Sequence, residues 1–433
     1  MKDMIHTDNK VKEVSVALST AYSKGLLKSD KRVLLTGCDI DGLPRGKTVM
    51  LEKIEKSMDD GFGFCGVLFG WDQHDALVKP PPPLLASDSG FSDILAKIDP
   101  SSMRRIPWNN NQPMFLVDFY HPTTGKPLAM CPRNLLKRIV GEFTAAGLRP
   151  LAGMEYEWFN FQETPDTLAQ KKGPGVYEAA LKYTDALELA DRAHVFKMAV
   201  KQIGLNHKVT CCFMAKPHQD QPGCSGHIHI SLASLETGAS LFAMPKNSDT
   251  AVSDVDATMT PTMQKFIAGI LLGLPSIMAI MAPTINSYKR LVENYWAPLT
   301  VSYGQENRTT SIRIIGPPLN SPESTRIEVR VPGADVNPYL AVAAILACGM
   351  HGIRNNLSLP FPPAKGDVTN QDAKLLPRTL LDAVQCMQEK NSMARLVLGD
   401  EFVDHFVATR LHELRLWSNA VTDWEIKRYM ETI

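Results

Sequence analysis

Three short stretches of this chain place polar groups at every second position: Gly153-Met-Glu155-Tyr-Glu157-Trp158, Ser225-Gly-His227-Ile-His229-Ile-Ser231 and Arg326-Ile-Glu328-Val-Arg330. In a β-strand residues i and i+2 share a face, so each stretch gathers its polar groups on one side and its apolar groups on the other. A strand with one solvated face explains any single stretch equally well. Taken together, Glu155, Glu157, Glu178, His227 and Glu328 offer hard oxygen and imidazole ligands. Carboxylates suit Mg²⁺, and an added imidazole also suits Mn²⁺. Arg326 and Arg330 flank Glu328, and their charges repel unless anions or metal-site carboxylates lie between them. Lys289, Arg290, Arg308 and Arg313 add more positive charge in Asn286-Ser-Tyr-Lys-Arg-Leu and Asn307-Arg-Thr-Thr-Ser-Ile-Arg. Arginine forks grip carboxylate and phosphate at two points. Acidic metal ligands beside an arginine cluster are what phosphoryl transfer from ATP to a carboxylate requires.

These residues need elements to hold them. Short apolar runs punctuated by glycine over residues 31–70 predict a small β-rich unit, preceded by an amphipathic helix at 10–27. Pro132 opens a helix reaching Ala146. Asp185 with Glu188 reads as a capping box for a helix ending near Gly204. Asn337 and Pro338 read as N-cap and first turn of an apolar helix over 338–350. The apolar run Phe266–Pro283 predicts a core helix broken at Pro275 rather than a membrane span. Charges every few residues in MKDMIHTDNKVKEV leave no apolar leader, so the expected address is the cytoplasm, with no membrane partner.

Composition narrows the classes further. The 433 residues are 44% hydrophobic and 21% charged, which excludes a disordered chain or fibrous repeat. With 46 basic and 46 acidic residues the net charge is zero, so no global field for nucleic acid exists. The 8 cysteines form no CxxC pair, and reduced thiols are the simple reading. Gly61-Phe-Gly63-Phe-Cys-Gly66 fits a dinucleotide fingerprint but lacks the helix that should follow. Gly42-Leu-Pro-Arg-Gly46-Lys47-Thr48 is one residue short of a phosphate loop.

The motifs GMEYEWF, GPGVYE, CSGHIHISL, NSYKRL, NRTTSIRI and STRIEVRVPGADVNPYLA resemble, in order, those of the glutamine synthetase family. PRNLLKR and VTDWEIKRYM look closest to its glutamine-synthetase-like branch, which includes γ-glutamylpolyamine synthetases and fungal relatives. The resemblance implies an α+β fold: an N-terminal arm over 1–30, a β-grasp domain over 31–125 and a catalytic domain over 126–433. It implies a homo-oligomeric ring, a dodecamer or similar, with active sites between neighbouring subunits. Glutamate, ATP and an amine would be the substrates, with Mg²⁺ or Mn²⁺ as cofactor. By position, Glu157 and Glu178 match ligands of one metal, and Glu155, His227 and Glu328 those of a second. Gly223, Arg290 and Arg330 match glutamate contacts. His229, Ser231, Arg313 and Arg326 match ATP contacts, and Arg308 the phosphoryl-stabilising arginine.

The chain departs from the family pattern in three places. Cys65 and Trp296 stand where ammonia-using members carry the carboxylates that hold and deprotonate ammonium, which favours a larger amine. Only 15 residues separate Glu157 from Gly173, where the family has several dozen. Lys171 stands where a third carboxylate would serve the first metal, and its charge opposes a cation there. Two other readings stay open: a ring-forming relative without catalysis, and glutamine synthesis from ammonia.

Overall fold

The computed structural model describes residues 29–57, 60–81, 90–162, 176–244, 259–292, 297–316, 321–368 and 373–433. The expected helix at 10–27, Lys171, Gly173 and Trp296 lie outside them.

The first sheet contains β1 (Arg32–Cys38), β2 (Pro44–Met50), β3 (Phe62–Cys65), β4 (Asp93–Ile98), β5 (Arg104–Ile106) and β6 (Gln112–Tyr120). Its order is β2-β1-β6-β4-β3, with β5 beside β6. β1 and β2 form an antiparallel hairpin, β1 runs parallel to β6, and helix α1 (Leu51–Ser57) follows β2. Alternation drives this: Val33, Leu35, Phe62, Phe64, Phe115, Val117 and Phe119 all point into one core. The mixed sheet is the expected β-grasp.

Helix α2 (Pro132–Ala145) leads to β7 (Leu148–Phe161) and β8 (Val176–Asp185). Then come α3 (Ala186–Asn206), β9 (Thr210–Cys212), β10 (Gly226–Ser234) and α4 (Pro261–Met281). β11 (Tyr303–Gln305), β12 (Ile312–Ile315), β13 (Arg326–Val329) and α5 (Pro338–Arg354) follow, and α6 (Leu380–Gln388), α7 (Met393–Leu398), α8 (Asp400–Asn419) and α9 (Asp423–Tyr429) end the chain. The second sheet runs β11-β12-β13-β10-β7-β8, with β9 against β7. One face carries apolar residues such as Met154, Tyr156, Ile228 and Ile230 into a core shared with α3, α4 and α5. The other face carries the polar series. The architecture is α+β, as expected.

Arg133 at the start of α2 joins the two sheets. It is buried and bonds Asp99 (2.8 Å) and Asp118 (2.9 Å) of the first sheet's region and Asp191 of α3 (2.8 Å). The Tyr339 hydroxyl on α5 donates to Asp191 at 2.8 Å.

Two expectations need correction. α4 runs unbroken through Pro275. A proline removes one backbone donor, but this helix is held on its flanks by core packing. Ser276 Oγ donates to Gly273 O at 2.9 Å inside the same turn. By length and composition α4 could cross a membrane, yet most of it is buried in the core. The second correction concerns α3: Asp185 is its N-cap, but its side chain caps nothing. It pairs with Arg149 instead, while Glu188 pairs with Arg104 and Arg192. A charged partner from another strand outcompetes the local backbone donor. Asn337 does cap α5, accepting from Tyr339 N and Leu340 N.

Candidate active site

Strand register assembles the site. β10 lies antiparallel to β7, setting His227 opposite Glu155. β13 lies on the other side of β10, setting Glu328 opposite His229. β12 continues the row with Arg313 opposite Glu328, and β8 extends it at the far side with Glu178 opposite Glu157. Cross-strand neighbours on one face are close enough to touch. The three polar stretches therefore share one surface, and their apolar residues share the core beneath it.

His227 Nδ1 sits 3.1 Å from Glu328 Oε1 and 3.7 Å from Glu155 Oε2. His229 Nε2 lies 3.1 Å from the other oxygen of Glu155. The ligand atoms of Glu155, His229 and Glu328 fall within 4.8 Å of one another, a spacing one cation can bridge. His227, rather than His229, was the expected ligand, and both imidazoles border the carboxylates. The neighbouring imidazoles of His227 and His229 hold the Glu155 carboxyl well below the usual carboxylate range. Burial pushes His227 down, so its neutral, ligating form is favoured. Glu178 is pushed up by burial and by the charges of Glu155, Glu157 and Glu328. A divalent cation among these carboxylates would relieve that repulsion. Glu157 Oε2 also accepts from Ser225 N and Ser225 Oγ, each at 2.6 Å.

The arginines gather around Glu328, which is 1% exposed. Its Oε2 accepts from Arg313 at 3.0 Å, and its Oε1 from Arg330. Arg330 Nε donates to the carbonyl of Arg308, whose own side chain is exposed on the turn between β11 and β12. Arg290 is buried, bonds Val331 O, and leaves Nε without a partner; Arg313 Nε is likewise unpartnered. Burial lowers both Arg290 and Arg330; the charge of Arg330 adds to it at Arg290, and those of Arg313 and Arg308 add to it at Arg330. Gly223 packs on Arg290 so closely that a Cβ would sit 2.5 Å from its Cγ. Buried positive charge in excess of its carboxylates is the mark of a site for anions.

A cavity of about 360 Å³ opens between β7, β8, β10 and the start of β13, lined by Gly153, Tyr183, His229, Ser231 and Arg326 among others. It thus brings together three of the four expected ATP contacts. Arg326 does not crowd Arg330: it turns to His229 Nδ1 (3.3 Å) and Ser324 O (3.0 Å). Lys289 is exposed and Cys65 is an exposed free thiol. One group escaped the sequence reading. Glu306 bonds Arg313 at 2.5 Å, and its position between Gln305 and Asn307 belongs to no alternating stretch.

Residues 163–429 match the family described as "Glutamine synthetase, catalytic domain". The chain is 38% identical to "Type-1 glutamine synthetase 2" of Dictyostelium discoideum, with 93% of this chain and 84% of that protein covered. It is 33% identical to a glutamate–isopropylamine ligase of a Pseudomonas species, covering 93% and 95%. It is 31% identical to a γ-glutamylethanolamide synthetase of Streptomyces coelicolor, covering 92% of each. The solved ligand-free structure of GmaS superposes with a TM-score of 0.77 at 27% identity, covering 95% of this chain and 99% of that one. A surface of carboxylates, imidazoles and arginines on one sheet, with these matches along nearly its whole length, shows that the chain belongs to the glutamine synthetase family.

Proposed function

We propose that this chain is an ATP-dependent ligase that joins the γ-carboxylate of glutamate to an organic amine through γ-glutamyl phosphate. The observation that carries this reading is Glu328, buried between Arg313 and Arg330 and next to His227. It unites the cation face with the anion face. In this reading Glu155, His227 and Glu328 hold one Mg²⁺ or Mn²⁺, and Glu157 and Glu178 a second. Such ions would bridge and neutralise the ATP phosphates. His229, Ser231 and Arg326 line the cavity for the nucleotide. Arg290, Arg330 and Gly223 receive glutamate, whose carboxylates satisfy the unpartnered guanidinium nitrogens. Arg308 and Arg313 stabilise the phosphoryl group as it moves. The amine then displaces phosphate. The domains run over 31–125 and 126–433, and the assembly is a ring with sites between neighbouring subunits.

The acceptor class follows from Cys65. A thiol in place of a carboxylate gives ammonium no ion partner. Two relatives are named for joining isopropylamine to glutamate and for making γ-glutamylethanolamide, in keeping with an organic acceptor. Phosphate release with ATP, glutamate and Mg²⁺ against a panel of amines tests the reading. At least one mono- or polyamine should exceed saturating ammonium. A clear preference for ammonium defeats the organic-amine assignment, and silence with every acceptor defeats the ligase reading.

A further inference from the structure

We infer that Glu306 is a positioning residue that holds Arg313 ready for the ATP phosphates. The inference rests on the nucleotide role proposed above for Arg313. Glu306 sits at the end of β11 with φ of 50°, in the left-handed region that side chains rarely adopt. Its backbone N–H donates to Ile314 O at 2.9 Å, which fixes the residue across β12. Its two carboxylate oxygens do different jobs. Oε2 accepts from Arg313 NH2 at 2.5 Å, and Oε1 accepts from the backbone N–H of Gly316 at 3.0 Å. The carboxylate therefore ties the guanidinium to the backbone just past β12.

Among the described residues Arg313 has one other acceptor, Glu328 Oε2, on its NH1 at 3.0 Å. Glu328 is also the residue assigned to the cation. Once its oxygens face a divalent ion, their grip on Arg313 weakens, because the ion draws the same lone pairs. Glu306 binds the other terminal nitrogen, NH2, and is not among the residues assigned to the cation. It is the tether that survives loading of the site. With it, Arg313 stays extended with Nε unpartnered. Without it, a long and flexible cation must be ordered by ATP itself, and that cost enters nucleotide affinity.

Calorimetric titration of ATP with Mg²⁺, alongside steady-state kinetics, tests this on the whole chain. Glu306→Ala should weaken ATP binding and raise the KM for ATP about threefold, the scale of an ion pair to a half-exposed carboxylate. The KM for glutamate should be unchanged. Glu306→Gln keeps one oxygen acceptor and should fall between the two, with the fold unperturbed. Arg313→Lys and Glu306→Ala combined should be far less than additive. Equal ATP affinity in wild type and Glu306→Ala overturns this inference alone, as does a parallel rise in both KM values. A wild type that binds no ATP overturns the functional reading and this inference with it.

Discussion

Glu328 concentrates the site's electrostatics in one side chain. Burial alone would raise its pKa, but His227, Arg330, His229 and Arg313 together hold it below the usual range. Its ionised form is thus favoured, shared between two arginines and a candidate cation. Replacing it with alanine would do two things at once. It would remove a ligand, and it would leave Arg330 buried without its carboxylate, at a cost of about 3–5 kcal/mol. Glu328→Gln separates these effects because it keeps the volume and one acceptor oxygen. We expect Glu328→Gln to lose more ATP-dependent phosphate release than the ~10–100-fold typical of an outer-shell partner, with little change in the urea midpoint. Near-normal turnover in that variant would remove Glu328 from the ligand set. Such groups were legible in sequence because alternation marks them. Glu306 was not, because a lone acidic residue at a strand end looks like any solvated side chain.

At the scale of elements, the hairpin of β7 and β8 shows what local pattern can and cannot reveal. Spacing alone left the placement of Glu178 open, whereas in the fold it is the direct cross-strand partner of Glu157. Val176, Tyr177 and Tyr183 on β8 are exposed. The cap of α3 was misread because Arg149 and Arg104, remote in sequence, claim the acids that would have formed it. Pro275 was misread because propensity weighs a proline more heavily than a core that holds the helix on every side. Asn337 was read correctly since its cap is purely local. Its amide nitrogen also donates to Asp39 O at 3.0 Å, reaching the β1–β2 turn. Asn337→Ala should therefore cost more than the usual ~1 kcal/mol of a lost cap. A urea midpoint no lower than that of an ordinary cap deletion would deny the second bond any weight.

The whole molecule should be acid-sensitive well above the range of its carboxylates. His194 on α3 is 3% exposed and His405 on α8 is 1% exposed, and burial pushes both imidazoles down to about 4. An unfolded histidine titrates near 6.5, so between these values the unfolded chain binds protons that the native chain refuses. Stability is then complete above about pH 6.5 and falls as pH drops toward 4, by on the order of 3 kcal/mol for each histidine. Urea midpoints at pH 7 and pH 5 check this, and a flat profile would contradict it. His194→Gln should flatten part of the slope. No composition or periodicity marks a histidine as buried and neutral, since that depends on packing between distant segments.

The node at Arg133 has a consequence for how long the native state lasts. Its bonds reach 15, 34 and 58 residues along the chain, and the link from Tyr339 to Asp191 spans 148. Contacts this distant close large loops, whose entropy is lost before the bonds reward it. The β1–β2 hairpin, with only residues 39–43 between its strands, needs no such closure. The node is therefore expected to form on the native side of the folding barrier, which unfolding rates of Arg133→Ala against wild type would check. Interactions absent from a transition state leave the folding rate alone and slow unfolding instead. The buried guanidinium thus acts as a brake on departure: it lengthens the lifetime of the docked sheets rather than hastening their meeting.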